Sequence, residues 1–433
     1  MDGSGLRRNK ATTFLPDSVI DLSHAFVVPL KHVPLDGLLA LQNGGDTHFA
    51  DISVPTTSDG PASPKSSQNK EAIYTIVASV PIDEPDFVYT HLLQLSQCYE
   101  AMALNQKIVA FTSDMPVRKA FYGLVYNSTR TGLIVDPKSY NIIGVLSVTD
   151  FIMVLMKLWK YQKQINENES SNGLSPQVLA DLVGCMPVSR WKGRISGASR
   201  QCEPEHQKLD SETYRGFITA NIKDSLFHAV RILWSRRVHR LPIMDKSTND
   251  CMFILTHRRI LHFLWNYCLL LPRPAYMSES IQKLQLGCWK DIIYVEERTP
   301  LIDVLDLLID QRVSGVPVVE NGSKKLVNVY TRFDAIAVGF DENFPKLDMS
   351  VEEAVNRRST LFGGTSGGDS VVTVAENATM WTVLEVFIER NVHRLFAIDD
   401  NNNLKGVISL SDMIWYMVIR PYEDKHKTMK KSQ

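Results

Sequence analysis

The chain is short of cysteine, and the few it has do not pair in any chemically familiar pattern. Six cysteines occur in 433 residues, at 98, 185, 202, 251, 268 and 288, with no C-x-x-C and no zinc-ligand spacing. That excludes a disulfide framework and a zinc module, and fits reduced, mostly buried thiols of an intracellular protein. An excess of one charge is also missing: 47 Lys and Arg stand against 48 Asp and Glu, a net charge of −1. No whole-chain field draws such a protein to nucleic acid or to a membrane. No apolar run reaches membrane-spanning length, since "FLWNYCLLL" stops at Pro272. The first residues lack a basic-then-apolar leader pattern. The expectation is a soluble protein of the cytoplasm, and of the nucleus as well. Catalytic signatures are absent too: no G-x-x-x-x-G-K-[ST], no kinase H-R-D or D-F-G set, no H-E-x-x-H and no G-x-S-x-G.

What the chain does have is apolar residues, 44% of the total, enough for two or more units of domain size. They are unevenly spread. Residues 1–85 include the polar run "PTTSDGPASPKSSQNK", which cannot bury enough surface to offset its ordering entropy. A largely disordered arm is expected there, with short apolar contacts at "HAFVVPL".

Beyond residue 90 a repeat is visible. The tetrapeptide V-H-R-L occurs twice, at 238–241 and 392–395. Aligning on its histidines brings four segments into register, led by Arg130, His239, Ser314 and His393. Each lead residue opens a β-prone stretch that ends six residues later at Asp136, Asp245, Glu320 or Asp399. Polar turns follow, "DPKSYN", "DKSTND", "ENGSKK" and "DDNNN", all good turn chemistry. A second apolar strand comes next, then a closing residue, Asp150, Arg259, Asp334 or Asp412, before another helical run. Thirteen residues upstream of each lead stands the first residue of a helical pattern: Val117, Leu226, Leu301 and Met380. Apolar side chains recur there at i+3, i+4 and i+7, as in Leu301, Val304, Leu305 and Leu308. Pro116 and Pro300 suit a first helical turn. The predicted α/β unit is helix–strand–turn–strand–helix, four times over. Its expected limits are 90–162, 213–275, 276–345 and 346–425, with an inserted Ser/Gly-rich loop over 163–212 and a polar tail over 426–433. "GGTSGGDS" (363–370) is predicted to be a flexible loop, because no lysine or helix signal follows it.

The elements "VHRLPIMD", "ILTHRRIL", "RVSGVPVV", "VHRLFAIDD" and "GVISLSD" resemble the cystathionine-β-synthase (CBS) motif. Four such motifs over roughly 90–420 resemble the gamma (regulatory) subunits of AMP-activated protein kinase. The resemblance implies that the motifs pair into two modules packed as a flat disk. It implies AMP, ADP and ATP as regulatory ligands in clefts between motifs, with phosphates toward a shared centre, and no prosthetic group or metal. It also implies a protein kinase catalytic alpha subunit and a beta scaffold as partners. The beta chain is expected to add a strand near "QKIVAFT" (106–112), although the same segment reads equally as an ordinary internal strand.

The residues themselves suggest roles. A carboxylate accepts from both ribose hydroxyls, so Asp150, Asp334 and Asp412 are ribose candidates. An Asp between a strand and a helix is also a natural N-cap, and one residue can do both. Arg259 holds the closing position of the second repeat and has no acceptor atom, so that repeat lacks this device and three competent sites are expected. The phosphate candidates are Arg130, His239, Arg240, Arg258, Arg312, Arg358, His393 and Arg394, since guanidinium matches phosphate in a bidentate fork. Thr149, Thr256, Ser314, Ser409 and Ser411 are lesser candidates as hydroxyl donors. Three other classes were weighed against a nucleotide sensor. A dehydrogenase of the IMP-dehydrogenase kind would need a separate barrel, and a channel tail would need membrane helices. A structural kinase-complex subunit with degenerate nucleotide sites is the remaining alternative.

Overall fold

The computed structural model describes residues 25–27, 84–103, 107–167, 176–190, 217–339, 347–361 and 371–431. Most of the N-terminal arm, residues 168–175 and 191–212 of the insertion, and "GGTSGGDS" lie outside them. The four repeats are present, each a small sheet with its helices. The first-repeat sheet has the order β1 (Ala25–Val27), β2 (Val109–Thr112), β3 (Thr131–Val135) and β4 (Ile142–Ser147). The second contains β5 (Ala220–Asn221), β6 (Arg240–Asp245) and β7 (Asp250–Thr256). The third contains β8 (Val295–Glu296), β9 (Gly315–Val319) and β10 (Leu326–Thr331). The fourth contains β11 (Thr373–Ala375), β12 (Arg394–Ile398) and β13 (Leu404–Ser409). In each repeat the hairpin formed by the last two strands is antiparallel, and the preceding strand joins it parallel after a helical crossover.

The crossover helices begin where the apolar periodicity places them: α1 (Val117–Tyr126), α2 (Leu226–Ser235), α3 (Leu301–Asp310) and α4 (Met380–Arg390). Their i, i+3, i+4, i+7 faces are buried; Leu301, Val304, Leu305 and Leu308 are fully so. Each helix stops the same way. Two residues before the lead, Ser128, Arg237, Arg312 and Asn391 take left-handed φ values of 51°, 50°, 55° and 54°. The chain must leave the helix and enter a strand within four residues, and a left-handed residue makes that turn. The acidic ends of the hairpins behave as turn residues: Asp136 Oδ2 accepts from Ser139 N at 3.1 Å and Asp399 Oδ1 from Asn401 N at 2.9 Å.

The cores show how the repeats associate. One apolar cluster joins helices of repeats two and four, and another joins repeats one and three. Sheet residues make the other two contacts. Ala110, Leu133, Met244 and Ile254 join repeats one and two, and Val319, Val329, Phe396 and Leu404 join repeats three and four. Sheets therefore pair 1 with 2 and 3 with 4, while helices pair 1 with 3 and 2 with 4. Two modules of two repeats each result, closed on each other around a common centre.

Four details differ from the sequence reading. The short first strands of repeats two, three and four, two or three residues long, carry too little periodicity to be seen. Segment 163–212 contains the end of a helix, Val148–Glu167, and a further helix, Pro176–Gly184, so its described part is not simply a loop. Val88–Ala101 packs in the core of repeats two and four, although residues 90–101 fall within the span expected of repeat one. Finally, β2 is an internal strand: Ala25–Val27 pairs antiparallel with Val109–Phe111. The edge at which a partner's strand was expected is occupied by the chain's own N-terminal segment.

The left-handed positions give a stability test. Arg312→Val should lower the unfolding free energy by about 1–2 kcal/mol, because a β-branched residue resists positive φ. Arg312→Asn should stay within about 0.5 kcal/mol of the parent. Urea titration of the two variants checks both values.

Candidate functional site

The four lead residues and the four second-helix N-termini converge where the repeats meet. Each hairpin brings its lead residue to one end of the sheet, opposite the strand end that starts the following helix: Arg240 pairs with Thr256 and Arg394 with Ser409. Between them lies a cavity of about 640 Å³, within the usual size of a small-molecule site. Arg130, Arg240, Arg258 and Arg332 line it, with His239, His257 and His393. Hydroxyl residues complete the polar wall, Thr149, Thr256, Ser314, Ser409 and Ser411 together with Ser128, Ser147 and Thr331, and among the described residues no Asp or Glu belongs to the lining.

The cations are tied across repeats by neutral acceptors. Arg332 Nη1 donates to Thr149 Oγ1 at 3.0 Å and Nη2 to the Leu308 carbonyl at 2.7 Å. Arg258 Nη2 donates to the Asn391 carbonyl at 2.7 Å and lies 3.1 Å from His393 Nε2. Arg130 stacks over the Phe333 ring, 5.2 Å from its centroid. Arg394, 5% exposed, stands behind the lining and donates to Ser314 Oγ at 2.7 Å. Gly315 makes that contact possible, because a Cβ there would run into the Arg394 guanidinium.

So many like charges in one place leave a signature. Burial and the facing Arg130 and Arg258 bring Arg240 down to about 10; burial and Arg394 bring Arg332 to about 10. Burial and then Arg130, Arg258, Arg394 and Arg240 push His393 down to about 2. His257 falls to about 3 through burial, His239 and Arg240. His239 opens onto the solvent of the cavity, yet the protein around it and Arg332, Arg240 and Arg394 still lower its pKa. The arrangement is chemically suited to an anion: it carries positive charge, hydroxyl and guanidinium donors, and, among the described residues, no carboxylate in its wall.

The aspartates serve first as caps. Asp150 Oδ2 accepts from Ser147 N at 2.7 Å, Asp334 Oδ2 from Thr331 N at 2.7 Å, and Asp412 Oδ2 from Ser409 N at 2.8 Å. Each also accepts from the hydroxyl of that same residue. None of the three lines the central cavity, although Thr149, Phe333 and Ser411 beside them do. Burial raises the Asp412 carboxyl against the effect of its Ser409 hydrogen bonds. Arg259 turns away from the centre, its Nε donating to the Ala101 carbonyl.

Of the phosphate candidates, Arg130, His239, Arg240, Arg258 and His393 are brought together, and Arg394 supports them from behind. Arg312 is exposed in its left-handed turn and does not line the cavity, so its charge belongs to helix termination. Arg358 lies on the helix Val351–Leu361, with its side chain outside the described residues. Sequence reasoning missed Arg332 and His257. Both stand two residues before a closing residue, at a position filled in the other repeats by Val148 and Leu410. The register contained the signal, but candidates were read one and three places before the closing positions, at Thr149, Arg258 and Ser411 and at Thr256 and Ser409, and not two places before.

Comparison with known proteins follows the same lines. Residues 284–340 and 368–419 match the model of the CBS domain family. The chain is 32% identical over 335 residues to the 5′-AMP-activated protein kinase subunit gamma-3 of Sus scrofa, covering 77% of this chain and 58% of that one. Identity to the Homo sapiens subunit gamma-3 is also 32%, over 77% of this chain and 61% of the relative. The chain thus spans about three fifths of the length of these relatives. A crystal structure from Methanocaldococcus jannaschii, described as a candidate archaeal homologue of the same gamma subunit, superposes with a TM-score of 0.53 at 18% identity. It covers 74% of this chain and 100% of its own.

The histidines predict acid sensitivity. Their folded pKa values lie below the unfolded value of about 6.5, so the unfolded chain binds more protons as pH falls. Stability contributed at neutral pH is then lost below about pH 6.5, by up to about 1.4 kcal/mol per pH unit for each histidine. Urea midpoints between pH 7.5 and 5 should show this slope in the parent, and a shallower one in His393→Gln.

Proposed function

The chain is a four-repeat CBS relative of the AMP-activated protein kinase gamma subunits, and on that premise we propose that it is the adenine-nucleotide-sensing regulatory subunit of such a kinase complex. The observation that carries this reading is the cavity walled by Arg130, Arg240, Arg258, Arg332 and three histidines, with no Asp or Glu among the described residues that line it. Phosphate is the common biological anion that matches guanidinium forks and hydroxyl donors together. AMP, ADP and ATP place one, two or three phosphates at such a centre and differ in charge, so they compete with unequal demands on the same cations. The base and ribose lie outward, between the repeats. There the Oδ1 atoms of Asp150, Asp334 and Asp412 serve the ribose hydroxyls while Oδ2 keeps the helix cap. The second repeat, with Arg259 turned to the Ala101 carbonyl, binds no ribose in this way.

The subunit acts without catalysis of its own. Its centre joins four repeats through hydrogen bonds such as Arg332 to Thr149 and Arg394 to Ser314. A nucleotide that draws these cations inward changes how the repeats lean on one another. It thereby favours one arrangement of the kinase partner over another, in proportion to its differential affinity for the two. An alpha catalytic subunit and a beta scaffold are the partners, and the complex resides in cytoplasm and nucleus.

Calorimetric titration with AMP, ADP and ATP tests the reading. Binding is expected for all three, and it should weaken as salt rises. Arg332→Ala or Arg130→Ala should cost about 10–100-fold in affinity, the usual worth of a hydrogen bond to a charged group. Absence of adenine-nucleotide binding by the parent would sink the proposal. For the partners, gentle affinity capture is expected to recover a kinase and a scaffold, and recovery of the chain alone would count against the complex.

A further inference from the structure

Of the cavity's histidines, His393 is the one whose protonation the geometry decides. Its Nε2 lies 3.1 Å from Arg258 Nη2. A guanidinium has no lone pair to offer, so the ring nitrogen is the acceptor and carries no proton. The same Nη2 is held at 2.7 Å by the Asn391 carbonyl. The charged groups facing the ring are Arg130 from repeat one, Arg240 and Arg258 from repeat two, and its neighbour Arg394. His239 and His257 share the cavity, and among the described residues no carboxylate belongs to its lining. Before an anion enters, every facing charge of the described residues opposes protonation.

An anion reverses this field. A phosphate group placed among Arg130, Arg240 and Arg258 offers Arg258 a better acceptor than an imidazole nitrogen. Once the guanidinium turns to it, His393 Nε2 is a buried acceptor without a donor, which is costly. A proton at that nitrogen removes the cost and creates a new charged donor aimed at the anion. We propose that an anion entering the central cavity draws Arg258 off His393 Nε2 and that the ring then takes up a proton there, so that phosphate binding at this centre is coupled to proton uptake. The Nε2 lone pair accepts the proton from solvent, and no bond of the anion is made or broken. The inference rests on the anion-site reading above and adds its regulation. The sign follows from the ring being neutral when the cavity is empty and charged when it is filled. Affinity rises by up to tenfold per pH unit as pH falls through the anion-bound pKa, and the gain is lost as pH rises through it.

The experiment is titration of the full chain with AMP at pH 7.5, in two buffers of different ionisation enthalpy. This pH lies above the second ionisation of a phosphate monoester, about 6, so the ligand itself brings no proton. The apparent enthalpies should differ between the buffers by a measurable fraction of a proton taken up per AMP, and the difference should shrink in His393→Gln. Carbon-13 labelling of the histidine rings should show one signal, missing in that variant, move to the protonated position when AMP is added. Arg258→Ala gives an independent check: with Nε2 released beforehand, that ring should titrate at higher pH without any ligand. AMP binding with the same enthalpy in both buffers overturns the inference and leaves the anion site standing. So does an uptake undiminished in His393→Gln, or a ring signal that stays neutral. Failure of AMP to bind the parent removes the anion site and the inference with it.

Discussion

Mutual repulsion among buried cations is the constraint around which this molecule is organised. Arg130, Arg240, Arg258 and Arg332 share one cavity of about 640 Å³ with three histidines, and among the described residues no carboxylate lines it. Arg332, Arg258 and Arg130 meet neutral partners there: a threonine hydroxyl, backbone carbonyls, an imidazole nitrogen and a phenylalanine face. Such partners orient a charge without cancelling it. The price of that arrangement appears in the lowered pKa values of Arg240, Arg332, His257 and His393. A fold that gathers positive charge in this way is suited to meet an anion.

The fourfold repeat is how the chain reaches this state. Each unit makes one hairpin, with a lead residue at one strand end and a helix N-terminus at the other. Helical cores tie repeats one and three, and two and four; sheet contacts tie one with two, and three with four. Those contacts point the same end of every unit inward. The backbone N–H groups of four helix starts therefore add to the positive potential made by the arginines. The same caps that fix these helix starts engage Asp150, Asp334 and Asp412, which ties the ribose candidates mechanically to the cavity wall.

Much of this was legible because repetition multiplies weak signals. One V-H-R-L is a chance event; four leads with helices beginning thirteen residues upstream are not, and α1, α2, α3 and α4 begin at Val117, Leu226, Leu301 and Met380. The site was legible in part. His239, Arg240, Arg258 and His393 lie at the centre, while Arg312, read as a phosphate ligand from its charge alone, is an exposed helix terminator. Arg332 and His257 went unread because their register partners, Val148 and Leu410, are apolar. The two-residue strands β5 and β8 were invisible, since two residues show no alternation.

By itself, the sequence determined the number of units, their helices and turns, and which residue types recur at each position, because local propensity and periodicity act over a few residues. It also determined that basic side chains gather at the leads and acidic ones at the hairpin ends and closing positions. Tertiary structure alone decided which of these residues face one another. Arg332 meets Thr149 across 183 positions and Arg258 meets His393 across 135, distances over which no periodicity speaks. It also decided that β2 would be internal, by pairing it with Ala25–Val27, since backbone hydrogen bonding requires an extended partner and places little demand on its side chains.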